Sequence, residues 1–106
     1  MRNKKRLALI KHKVFFIKST QAALEALRID VIDPSLAASL NTLIDLVRYS
    51  DPMSNAELEK IEQWIQMDVE ALKGDIAVGK FELASERIAA ISKQLQERNE
   101  KCRLLK

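Results

Sequence analysis

The chain has 106 residues, of which 47% are hydrophobic and 31% charged, with two glycines, two prolines and a formal net charge of +3. That length suits one small domain, and that composition excludes collagen-like, low-complexity and compositionally disordered chains. A single cysteine, Cys102, cannot close an internal disulfide, which points to a reducing compartment, the cytoplasm.

The charge is unevenly placed along the chain. Residues 1–18 hold seven basic side chains (Arg2, Lys4, Lys5, Arg6, Lys11, Lys13, Lys18) and no acid, whereas residues 19–97 carry a net charge of −7. A basic end beside an acidic middle either binds phosphates or lets one helix pack on another, and we favour the internal pairing. The basic start imitates an export signal, but its apolar run, Leu7 to Ile10, stops after four residues at Lys11. No uninterrupted apolar run is longer than four residues, against the roughly 20 that a membrane-spanning helix needs, so no span is expected.

The first predicted helix covers about residues 4–28, with Leu7, Ile10, Val14, Ile17 and Leu24 along one face. A second seam, Leu9, Phe16, Ala23 and Leu27, runs beside the first, giving an apolar arc wide enough for two neighbours. Arg28 to Asp33 reads as a connection that Ile29, Val31 and Ile32 anchor to the core. Asp33-Pro34 then starts a helix over about 34–49, an acidic N-cap followed by proline where its missing N–H costs nothing. Its apolar face is Leu36, Leu40, Leu43, Ile44 and Val47, and the approach to Pro52 ends it.

Ser54 with Glu57 three residues later predicts a capping box, with Met53 stapled on Leu58. The third helix spans about 55–73, its buried stripe being Leu58, Ile61, Ile65, Val69 and Leu72, with Trp64 at the edge and Gly74 as C-cap. Both glycines, Gly74 and Gly79, fall in one short reversal, which predicts an antiparallel hairpin over about 54–102. The last helix, about 80–102, buries Phe81, Ala84, Ile88, Ile91, Leu95 and Cys102, and Arg98 is the one charged residue on that stripe. The fold expected is all-α, a compact four-helix bundle-like single domain over residues 1–106 with a C-terminal antiparallel helical hairpin.

Residues Gly79-Lys-Phe-Glu-Leu-Ala84 resemble the turn between helices of tetratricopeptide hairpins. The resemblance covers six residues with no second copy at a period near 34, so it implies a hairpin and no peptide groove.

Catalysis needs converging nucleophile, base or carboxylate groups, and the sequence offers no such set, so neither a catalytic residue, a metal nor a cofactor is expected. His12 lies between Lys11 and Lys13, a surface setting without metal-ligand spacing to any other donor. Cys102 sits on an apolar stripe and reads as a packing residue. Glu57, Glu59, Glu62, Asp68 and Glu70 read as a solvated face rather than a cation site. Phe15, opposite the main stripe and among lysines, suits an aromatic anchor against a subunit or helix better than a stacked base.

The function expected is a non-enzymatic protein-interaction or structural module that self-associates, most simply as a two-fold dimer, through Leu9, Phe15, Phe16, Ala23 and Leu27. The alternative is a nucleic-acid-binding accessory protein whose phosphate contacts, or contacts to an acidic partner, are Arg2, Lys4, Lys5, Arg6, Lys11, Lys13 and Lys18. Zinc ligands, a helix-turn-helix arrangement, a zipper and aromatic sheet motifs are all missing from the sequence, which weakens specific base reading.

Overall fold

The backbone of residues 2–105 and the side chains of residues 14–105 are described by a computed structural model. Four helices follow one another: α1 (Arg2–Asp30), α2 (Pro34–Arg48), α3 (Glu59–Ala77) and α4 (Phe81–Leu104), with a single 3-10 turn, Ala56–Leu58, ahead of α3. The described residues contain no strand, so the chain is all-α as its periodicity predicts.

Local chemistry explains most of the boundaries. Asp33 caps α2 by accepting the Leu36 amide at 2.9 Å, with Pro34 in the first helical position. At the other end of the hairpin Gly79 takes φ +77°. Its amide donates to the Ile76 carbonyl at 3.2 Å while Lys80 donates to that of Asp75 at 2.9 Å, the paired bonds that close a helix on a left-handed residue. Only Gly79 performs this role. The helix runs straight through Gly74, contrary to the C-cap expected there, because one left-handed residue suffices to reverse the chain.

The start of the third helix also differs from expectation. Asn55, not Ser54, is the cap, its Oδ1 accepting the amides of Glu57 at 2.9 Å and Leu58 at 3.2 Å. Ser54 is diverted because its hydroxyl donates to Glu62 Oε2 at 2.6 Å. Asn55→Ala should therefore lower stability by about 1 kcal/mol, read as a fall in the urea midpoint at constant slope. No change in the midpoint would mean that α3 gains nothing from this cap.

Packing sets the order of helices around the bundle. α1 lies against α2 and α3, α4 lies against α2 and α3, and among the described residues the backbones of the diagonal pairs do not approach. The cyclic order is thus α1, α2, α4, α3, so the segment from Tyr49 to Leu58 must cross the end of the bundle from one corner to the opposite one. Arg28 to Asn41 at 2.9 Å marks α1 and α2 as antiparallel, and Arg87 to Asp75 at 2.7 Å does the same for α3 and α4, the most extensively packed pair.

The core draws on both seams of α1. Phe16, Ile17, Leu24 and Leu27 are buried together with Leu40, Leu43 and Val47 of α2, Ile65 and Leu72 of α3, and Ile91 and Leu95 of α4. Each such side chain contributes roughly 1.5–3 kcal/mol of transfer free energy. Two expected core residues are absent from it. Phe81, at the first position of α4, is exposed, and of the connection only Val31 is buried, since α1 continues to Asp30 and leaves Ile29 and Ile32 outside.

Candidate functional site

The wide apolar arc of α1 has its explanation within the chain. Because α1 touches both α2 and α3, it needs two inward seams, and Phe16 is 4% exposed with Leu27 beside it in the core and Ala23 packed against that core. The reading of Phe16, Ala23 and Leu27 as a surface for another subunit is corrected by this burial. Phe15 behaves differently. One residue on, it points outward with 61% of its surface exposed. Leu9 lies outside the residues whose side chains are described, as do Arg2, Lys4, Lys5, Arg6, Lys11, Lys13 and His12. Lys18, the last of the basic series, is exposed.

A polar cluster at the crossover end of the bundle is the most elaborate arrangement of side chains in the described chain. Arg98 is 0% exposed and spans three elements. Its Nε donates to Glu62 Oε2 at 3.0 Å, its Nη1 to the Asp51 carbonyl at 2.6 Å and to Asn99 Oδ1 at 3.0 Å, and its Nη2 to the Met53 carbonyl at 2.9 Å. The Phe16 ring of α1 lies 5.5 Å from the guanidinium carbon, close enough for the ring face to attract the cation. Asn99 in turn donates to Ser50 at 2.8 Å, and Ser50 donates to the Leu46 carbonyl at 2.6 Å.

These bonds fasten the crossover segment to α4. A planar guanidinium suits the task because its fork of donors reaches two backbone carbonyls and a carboxylate at once, where an ammonium would act as a point charge. Glu62 is correspondingly buried, and so departs from the solvated face read for its group. Asp68 is half-buried and stands 3.8 Å from Arg87, while Glu57, Glu59 and Glu70 are exposed as read. The hydrogen bond to Asp75, against the opposing effect of desolvation, raises the pKa of Arg87 above the usual arginine value. Cys102 is buried, its sulfur 3.8 Å from the Met53 carbonyl. The described residues hold no group of three or more histidine, cysteine or acidic side chains suited to a metal ion.

A second feature was legible in the spacing but not singled out. Trp64 and Met67, 51% and 68% exposed, stand on the outer face of α3, and Val78 continues the same line just past its end at 68%. Ala71 and Gly74 fall between them at helical spacing. Lys60, one turn before Trp64, places its ammonium 5.4 Å from the indole ring centre. The neighbouring column on this flank, Asp68 and Asp75, reaches Arg87 of α4, so the exposed stripe borders the outer seam of the hairpin. No helix of the described residues is long and apolar enough to cross a membrane. No protein-family model, curated protein or solved structure matches the chain.

Proposed function

We propose that the chain is a non-enzymatic, cytoplasmic helical module that works by binding protein, in the first place a second copy of itself. The observation that supports this reading is the outward stripe of Trp64, Met67 and Val78, large apolar side chains that the core of a single chain leaves uncovered. Aromatic residues and methionine are over-represented at protein interfaces, because they bury much area for little lost side-chain freedom. The buried cluster around Arg98 fits a structural part in such a module. Its donors are committed to the crossover backbone and to Glu62, an arrangement that holds shape.

A second reading rests on the seven cations and no acid among residues 1–18, which favour a polyanion such as nucleic acid. Sedimentation velocity of the purified full chain from low to high micromolar concentration, at low and moderate salt, separates the two. The expected result is a dimer that persists at moderate salt. A monomer at high micromolar concentration overturns self-association. Sequence-independent nucleic-acid binding that falls steeply as salt rises would then favour the second reading.

A further inference from the structure

We infer that the outward face of the α3–α4 hairpin is the contact of a two-fold homodimer, with α3 of one copy lying antiparallel on α3 of another around Ala71. This rests on the self-association proposed above and adds where it occurs. Lys60, Trp64, Met67, Ala71, Gly74 and Val78 recur at steps of three and four, which puts them on one face of α3 and its C-terminal continuation. Their order is self-complementary. A two-fold axis at Ala71 sets every residue of one copy opposite the residue of the second copy that lies equally far on the other side. Trp64 then meets Val78, Met67 meets Gly74, and Ala71 meets its own counterpart, so each large side chain faces a smaller one.

The exposed charges obey the same symmetry. Past Val78 the chain turns into α4, and Glu82 there comes level with Lys60 of the second copy. On α4 Lys93 and Glu86 flank Ala90, the residue level with Ala71 in the antiparallel hairpin, at nearly equal distances, so each lysine faces a glutamate of the second copy. Opposite charges thus meet in this arrangement, whereas the parallel alternative would oppose like to like.

Gly74 supplies an independent reason. A Cβ built there meets nothing within 4 Å, and Gly79 is the only glycine with positive φ. Neither packing within the chain nor backbone conformation requires a glycine at a position where it weakens the helix. A seat for Met67 of a second copy does require one.

The same property makes Gly74 the test. Gly74→Lys adds a side chain into open space and improves helix propensity, so the variant should keep its circular dichroism spectrum and melt no lower than the parent. It should also dissociate, its dimer dissociation constant rising about 100-fold as an unpaired ammonium is forced against Met67. Lys60→Glu should weaken the dimer through repulsion of Glu82, and the double change Lys60→Glu with Glu82→Lys should restore it. A Gly74→Lys dimer as tight as the parent overturns this surface while leaving self-association standing. So does a dimer dissociated by Phe15→Glu alone, and a monomeric parent overturns both.

Discussion

Arg98→Ala should cost the fold about 3–5 kcal/mol, the range for removing one partner of a buried ion pair. The loss exceeds that of an ordinary core truncation in kind as well as size, because Glu62 would be left buried without its cation and the carbonyls of Asp51 and Met53 would lose their donors. Chemical denaturation of Arg98→Ala, Glu62→Leu and the double change Arg98→Met with Glu62→Leu measures this directly. Removing both charges should cost less than removing the arginine alone, since no orphaned carboxylate remains. Arg98→Lys should recover little, as an ammonium cannot bridge two carbonyls and a carboxylate in the same plane. A loss below about 1 kcal/mol for Arg98→Ala would show that water replaces the guanidinium at small cost.

Phe16→Asp should unfold the chain or destabilise it by at least about 3 kcal/mol, through a cavity in the core together with an unpaired carboxylate. Phe16 is buried against α2 and α3 and lies over Arg98, so the folded monomer that a partner-facing seam would yield is not the expected product. Phe15→Asp is the control. Its ring is largely exposed, and the change should stay within about 0.5 kcal/mol of the parent. Circular dichroism with sedimentation reads both, and a folded, soluble Phe16→Asp protein would place this seam outside the core.

The contrast between these two phenylalanines shows how far sequence periodicity reaches. Spacing located all four helices, the Asp33-Pro34 start and the hairpin, because each depends on residues within a few positions of one another. It also recognised that α1 meets two neighbours. Periodicity carries no label saying whether a neighbour belongs to the same chain, so a seam that α3 covers was assigned to another subunit. Arg98 was visible as a charge on an apolar stripe, but its partners are 36 to 47 residues away, and no local pattern connects them. Ser54 was misplaced for the same reason, its hydroxyl claimed by Glu62 eight residues on while Asn55, an equally good cap, took its place. The outer stripe of α3 was in principle readable, since Trp64, Met67, Ala71 and Val78 follow the spacing used to find the core. It was overshadowed by the stronger stripe through Ile65 and Leu72, which a single domain must bury first.

The diagonal crossover has a kinetic consequence. The α1–α2 and α3–α4 pairs are each local in sequence and can assemble early, as helical hairpins joined by short turns do. The bonds that lock the crossover join residues 45 to 49 positions apart, nearly half the chain, and need α4 docked before any of them can form. The end of the bundle bearing Arg98 therefore closes last and reopens first. Amides of residues 50–54 should report that opening by hydrogen exchange at a lower free energy than the amides of Leu40 or Ile91, which exchange only when the whole bundle comes apart.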